Sequence, residues 1–207
     1  AQNKRIRHGI GLSIVMHGGG FTGSGEDNMG TTVRVEFRDG RFLVLASSVE
    51  MGQGSATILP MVAAETLGVG LDRVTAPPAD TNHVPNSGPT VASRTTMFVG
   101  AATHDACQNL IGELTGFLSD ENACPPSEIA FEEGTFSVGG RSLSILDAAS
   151  ACVARRGELS AEGTYKGPPT ANPWDDRGFS GDAYKGYSWL TTVVELEVDM
   201  DTYEANP

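Results

Sequence analysis

The clearest pattern along the chain is period-two alternation in residues 31–37 and 41–48, where Val33, Val35, Phe37, Phe42 and Val44 recur at every second position. Arg38-Asp39-Gly40 between the runs is a turn signal, so the pair predicts a β-hairpin with one buried face. The pattern then changes period. Residues 55–67 carry Ile58, Met61, Val62 and Leu67 with Gly68 just beyond, which predicts an amphipathic helix with a glycine C-cap, weakened only by Pro60 near its start. A longer run, residues 95–118, repeats Met97, Val99, Ala102, Ala106, Leu110, Ile111 and Leu114 at near-helical spacing and predicts a helix long enough to cross a sheet. Residues 72–76 suggest a short strand before a Pro-rich loop. Residues 128–131 and 135–138 suggest a hairpin around Gly134, and residues 144–155 a third helix ended by Gly157. Residues 9–16 alternate weakly before a glycine-rich stretch, Gly18 to Gly25, that reads as a loop. Residues 188–198 read as a long strand followed by a turn at 199–202 and a return strand near Tyr203. The fold class expected is α+β, a mixed or antiparallel sheet covered by two or three helices.

Composition narrows the functional classes. The 207 residues carry a formal net charge of -12, which argues against a nucleic-acid or anionic-membrane surface, both of which need clustered Lys and Arg. Cys107, Cys124 and Cys152 are too few and too scattered for a disulfide framework or a zinc site, and they suit reduced thiols in a cytoplasmic setting. No run approaches the roughly 20 apolar residues of a membrane span, and the charged start, residues 1–7, is not followed by the apolar core of a signal peptide. The whole of 1–207 is expected to be a fragment of one domain, with a sub-boundary possible near 120–160.

Several motifs carry candidate chemistry. Gly18-Gly19-Gly20-Phe21-Thr22-Gly23 satisfies the dinucleotide-binding glycine pattern, but that reading needs a helix after it and the polar sequence predicts none. His17-Gly18-Gly19-Gly20 resembles the oxyanion loop of esterases, yet the chain holds no Gly-x-Ser-x-Gly nucleophile motif, which disfavours a hydrolase. His8, His17, His83 and His104 lack metal-ligand spacing and read as surface or loop residues. Glu50-Met51-Gly52-Gln53-Gly54 lies between a strand end and a helix start. There backbone N–H groups and the Gln53 amide could meet an anionic ligand, or the two glycines could simply turn the chain. Asn86 to Thr96 is rich in small and hydroxyl residues leading into the long helix, which suits a phosphate or polyoxygenated cofactor, although N-capping by Ser93 or Thr95 would also account for it.

Taken together, Glu50 to Gly54, Asp80-Thr81-Asn82 and Pro89-Thr90-Val91-Ala92-Ser93-Arg94 resemble, in order and spacing, the molybdopterin-binding subunit of the xanthine dehydrogenase and aldehyde oxidase family of molybdenum hydroxylases. The resemblance covers residues 9–118 and 187–199. It implies an oxidoreductase that hydroxylates a C–H carbon of an aldehyde or N-heterocycle with oxygen from water. The cofactor would be molybdopterin, in its plain or cytosine dinucleotide form, with iron–sulfur clusters and FAD on other domains or subunits. It implies Gly52, Gln53, Gly54, Thr90, Ala92, Ser93 and Thr95 as cofactor-binding residues, with no direct protein ligand to the metal. Leu12, Ser13, Val91 and Ala92 would line the substrate pocket. Leu12 stands where purine-oxidising relatives place a phenylalanine, which argues against a purine substrate. The family's Gly-Val-Gly-Glu-Pro motif, whose glutamate is the general base, is absent from the 207 residues, so the expectation is a chain that is inactive alone and needs the remainder of the molybdenum subunit. A non-catalytic cofactor-binding or assembly module of the same fold is the alternative. An isolated chain is further expected to self-associate through an unpaired edge of the strand at 188–198.

Overall fold

A computed structural model describes residues 5–26 and 28–207; residues 1–4 of the charged start lie outside it, as does Asp27. The predicted hairpin is present as β2 (Thr32–Arg38) and β3 (Arg41–Leu45), paired antiparallel with Val35 opposite Val44 and Phe37 opposite Phe42. Its turn residues Asp39 and Gly40 have φ of 51° and 74°. Two positive-φ residues give the tight turn whose twist matches that of the strands it joins. The short strand is reduced to β4 (Val74–Thr75), parallel to β3 and preceded by a 3-10 turn, Leu71–Arg73. On the other side β2 pairs with a strand the sequence reading missed, β8 (Ser160–Thr164). The result is a four-stranded mixed sheet in the order β4-β3-β2-β8.

The helices cover this sheet as their spacing predicts. Helix α1 (Ser55–Leu67) has the predicted bounds and ends on Gly68 at φ 63°, and Pro60 is tolerated in its first two turns. The long helix differs at its start: Thr95–Val99 form a π-helical turn, and only then does α2 (Gly100–Asn122) begin. Ala102, Ala106, Leu110 and Leu114 of α2 repeat every four residues and are fully buried, together with Val33, Val35 and Phe42 of the sheet. Contact with β8 is so close that a Cβ at Gly163 would lie 2.1 Å from the Ala106 nitrogen. Glycine is required there by space, since its backbone φ is not positive.

Beyond α2 the predicted hairpin forms as β5 (Ala130–Glu132) and β6 (Thr135–Val138), extended by an unforeseen β7 (Arg141–Ser144). Helix α3 (Ile145–Arg156) follows. Ser144 caps it by accepting the Asp147 N–H, and Gly157 ends it at φ 88°. Phe136, Ile145, Ala148 and Cys152 belong to the same buried cluster as the four-stranded sheet.

The remaining element is a ribbon. Strand β1 (Ile6–Gly19) takes in Gly18 and Gly19, which had read as loop, and pairs along its whole length with β9 (Gly186–Asp199). The return strand β10 (Ala205–Asn206) pairs only with Val198 and Glu197. The expected unpaired β9 edge is present on one side only: one edge is covered throughout by β1, and on the other β10 covers Glu197 and Val198 and leaves the rest open. Directly opposed residues share a face, so Leu12 with Val193 and Met16 with Trp189 form one apolar surface, continued by Ile10 and Ile14, each at least 55% exposed.

Candidate cofactor-binding site

Three loops meet at the end of the sheet where β3 leaves it. The first follows β3. Ser47 and Ser87 exchange hydrogen bonds, each backbone N–H donating to the other's hydroxyl at 3.0 and 2.8 Å, and the Val49 N–H donates to Thr90 Oγ1 at 2.8 Å. These bonds tie the Glu50 to Gly54 loop to the second loop, residues 86–94. The third is the glycine loop after β1, whose Gly20 N–H donates to the Ala92 carbonyl at 2.8 Å while His17 Nε2 lies 3.0 Å from Ser93 Oγ.

Within the first loop the geometry departs from the simplest expectation. The helix N-terminus is filled by the chain's own Glu50, whose carboxylate accepts from the N–H groups of Gly52 (2.7 Å), Gly54 (3.0 Å) and Ala56 (2.8 Å) and from the Ser55 hydroxyl (3.2 Å). The backbone N–H of Ala56, then that of Gly54, holds this carboxyl at about 2 against an ordinary 4.5, as donors that favour the charged form must. Gln53 folds back on the loop: its Oε1 accepts the Met51 N–H at 2.6 Å, and its Nε2 donates to the Val49 carbonyl at 2.7 Å and Ser55 Oγ at 3.1 Å. Gly52 and Gly54 have φ of 102° and 86°, and a Cβ at either would meet open space. These glycines are required by backbone conformation, and they leave the loop's backbone open to approach by another group.

In the second loop Ala92 and Ser93 are consecutive non-glycine residues with φ of 53° and 55°. No side-chain cap closes the π-turn or α2, so capping by Ser93 or Thr95 does not account for the segment. Val91 is exposed, as are Val49 and Met51 across the gap. Leu12 and Ser13 sit elsewhere, in mid-β1, opposite Val193 and Thr192. Leu12 is five residues, roughly 17 Å of strand, from His17, so the structure does not bring these two together with Val91 and Ala92. Ala92 and Ser93 are instead adjoined by His17, near the end of β1, and by Gly20, just beyond it. Asp80, Thr81 and Asn82 form a turn in which the Asn82 N–H donates to Asp80 Oδ1 at 2.9 Å.

Sequence reasoning missed the deepest feature of the site. Arg94 and Glu26 are both buried, with Arg94 Nη2 and Nε at 2.7 and 2.8 Å from Glu26 Oε1. No local pattern announces a pair 68 residues apart; only the unusual commitment of an Arg inside an otherwise small-residue segment hints at it. The Glu50 carboxylate did have a signal, because an acidic residue just before a glycine turn and a helix start is placed to engage N-terminal N–H groups. The esterase alternative fails on geometry. The Ser93–His17 pair is within hydrogen-bond reach, but the N–H groups that would stabilise an oxyanion are engaged, Gly20 with Ala92 and Phe21 with Glu26 Oε2 at 3.0 Å.

An open glycine backbone, the Thr90 and Ser93 hydroxyl groups where the loops join and an exposed apolar rim of Val49, Met51 and Val91 form a cradle suited to a flat, heteroatom-rich group. Among the described residues no cluster of three or more His, Cys, Asp or Glu could hold a metal ion. Comparison with known proteins places the chain in a family: a model of the molybdopterin cofactor-binding domain matches residues 1–206, and the chain belongs to that family. It is 31% identical over 202 residues to xanthine dehydrogenase 2 of Arabidopsis thaliana, and 31% identical over 194 residues to xanthine dehydrogenase/oxidase of Felis catus. It covers 98% and 93% of itself in these matches but only 13% of either relative. Among solved structures it resembles a Cu,Mo-CO dehydrogenase (TM-score 0.74, 18% identity, 98% of this chain and 25% of that one). It also resembles the aldehyde oxidoreductase of Desulfovibrio desulfuricans (TM-score 0.64, 22% identity, 98% and 19%). The α+β fold is that of the corresponding part of these chains.

Proposed function

We propose that this chain is a piece of the molybdopterin-binding domain of a molybdenum hydroxylase that oxidises a C–H carbon of an aldehyde or N-heterocycle with oxygen from water. The observation that carries the reading is the joining of the Glu50 to Gly54, Thr90 to Ser93 and Gly20 loops by the Val49–Thr90 and Gly20–Ala92 hydrogen bonds, in a chain of the molybdopterin-binding family. When bound, the cofactor would supply the two-electron redox chemistry. The chain's own residues would enclose it: Gly52 and Gly54 let backbone approach its face, and Thr90, Ser93 and Thr95 offer hydroxyl groups. Ala92 keeps the wall low, and Val91 borders the substrate. Gln53 would turn its amide from the loop toward the cofactor, exchanging its contacts with Val49 and Ser55 for that one. The plain and cytosine dinucleotide forms of the cofactor suit these groups equally.

The general base, the iron–sulfur clusters and FAD would come from the remainder of the subunit and from other domains or subunits. The apolar ribbon would seat against that remainder, and in an isolated chain self-association through the open part of the β9 edge would replace it. The acidic balance speaks against nucleic-acid partners, and no helix among the described residues is long and apolar enough to cross a membrane; the cytoplasm is the compartment proposed. The test is Gln53→Ala in the full-length enzyme. Its amide bonds to Met51 and Val49 are exposed and replaceable by water, so stability should change by about 1 kcal/mol at most, while turnover falls by roughly tenfold or more through loss of a cofactor contact. Wild-type turnover in the variant would remove Gln53 from the site. The 207-residue chain purified alone should hold no stoichiometric molybdenum, and metal analysis finding close to one per chain would overturn its dependence on the remainder.

A further inference from the structure

The segment proposed to face the cofactor is held in a conformation that its own residues do not favour. Ala92 and Ser93 both lie in the left-handed region, which a non-glycine residue disfavours and keeps only if the surroundings over-determine it. Those surroundings are built on one side chain. Arg94 is fully buried, and all three nitrogens of its guanidinium are engaged. Nε donates to Glu26 Oε1 at 2.8 Å, Nη1 to the carbonyls of Ser87 (2.8 Å) and Pro89 (3.4 Å), and Nη2 to Thr31 Oγ1 (2.6 Å), while Nη2 also lies in ion-pair contact with Glu26 Oε1 at 2.7 Å. The guanidinium therefore gathers the start of the loop onto its end. Phe98 closes the remaining side, with Arg94 Cζ 5.4 Å from its ring centroid. Space at this point is so limited that a Cβ on Gly88 would lie 2.7 Å from Nη1.

Glu26 extends the lock to the glycine loop. Its second oxygen accepts the Phe21 N–H at 3.0 Å, beside the Gly20 N–H that holds the Ala92 carbonyl. One carboxylate thus fixes Arg94 and the segment that clamps Ala92.

We propose that Arg94, locked by Glu26, is a positioning residue: it holds Ala92 and Ser93 left-handed so that residues 90–93 present one fixed shape to the cofactor. This rests on the cofactor-binding reading above. A lysine at 94 keeps the charge but has no fork with which to hold Ser87, Thr31 and Glu26 together. Glycine at 92 adopts the left-handed conformation without the penalty of a side chain.

The test uses the full-length molybdenum subunit with its partner chains, as wild type, Arg94→Lys, and Arg94→Lys with Ala92→Gly. In the cofactor-free form of Arg94→Lys, amides of residues 88–95 should exchange hydrogen faster by about tenfold while those of α2 stay protected, the signature of local opening. In the loaded form kcat should fall by roughly tenfold or more at unchanged KM, because small misplacements of positioned groups are costly. The added Ala92→Gly should restore part of that loss. Unchanged exchange at 88–95, a rise spread evenly through the core, or a loss that glycine does not relieve would each overturn the positioning role. If Arg94→Lys fails to fold, Glu26→Gln is read in the same assays with the same expectations, since its amide nitrogen cannot accept the Phe21 N–H. Metal analysis separates the two readings. Wild type without molybdenum overturns the cofactor reading, whereas molybdenum present with unchanged exchange in the variant overturns the positioning role alone.

Discussion

Adding one methyl group at two glycines should move stability in opposite directions. At Gly163 the new Cβ would lie 2.1 Å from Ala106 N, 2.5 Å from Ala102 O and 2.7 Å from Ala106 Cα, all of them main-chain atoms of α2. No rotamer can relieve this, so helix and strand must separate by roughly 1.3 Å to restore ordinary contact in a close-packed core. Overpacking of this kind costs about 1–3 kcal/mol, and contact with backbone alone argues for the upper end. Gly112 lies within α2 on its solvent side, and a Cβ there meets nothing within 4 Å. Replacing a glycine in a helix interior by alanine gains about 0.5–1 kcal/mol. For a chain of this size, where 1 kcal/mol is worth about 2–4 °C in Tm, Gly163→Ala should melt about 6–12 °C below wild type and Gly112→Ala about 1–4 °C above it. Thermal unfolding followed by circular dichroism reads both. A Gly163→Ala chain as stable as wild type would show that α2 does not lie against β8 as closely as described, and shifts of the same sign would refute the reasoning as a whole.

Two further outcomes follow from the ionisable groups. The Glu50 carboxyl titrates at about 2 in the fold against an ordinary 4.5, so its contribution is fully present above about 4.5 and is lost as pH falls toward 2; Glu50→Gln should flatten stability against pH in that window, and identical profiles for variant and wild type would show that Glu50 does not hold the turn. Burial pushes the Cys107 thiol up to about 12 and raises that of Cys152, whereas Cys124 is partly exposed; alkylation of the native chain followed by peptide mapping should mark Cys124 first, and early labelling of Cys107 would contradict its place on the buried face of α2.

What could be read from the sequence was what repeats locally. The β2–β3 hairpin announced itself through alternation and Asp39-Gly40, and α1 through its apolar spacing and Gly68. β7 and β8 did not, because Arg141 to Ser144 and Ser160 to Thr164 carry few apolar side chains, and each is a strand only through its neighbour. The π-turn at Thr95–Val99 is likewise set by what its residues pack against, since five residues cannot show a period. At the site, Gly52, Gln53 and Gly54 stood out by composition, but the direction of the Gln53 amide depends on where Val49 and Ser55 come to lie. Leu12 and Ser13 show the limit of matching positions by resemblance: on an even strand every second residue looks alike, and only the β1–β9 register reveals how far out they sit. The Glu26–Arg94 pair could not be read because, although an Arg among small residues stands out, nothing local names a partner 68 residues away.

The ribbon also constrains the order of folding. Arg5 and Asp199, bonded through guanidinium and carboxylate, are 194 residues apart, so β1 and β9 can pair only after nearly the whole chain between them is placed. Closing a loop of that length in an unstructured chain costs about 2–3 kcal/mol more than closing one of ten residues, at about 0.6 kcal/mol per doubling. A hairpin such as β2–β3 escapes that entropy. The four-stranded sheet with α1 and α2 should therefore form first and shorten the effective loop by carrying its two ends toward each other, leaving the ribbon to zip from Gly19 and Gly186 outward. The apolar residues of β1 and β9 would meanwhile stay unpaired through the early stages, the interval in which the growing chain is most open to aggregation.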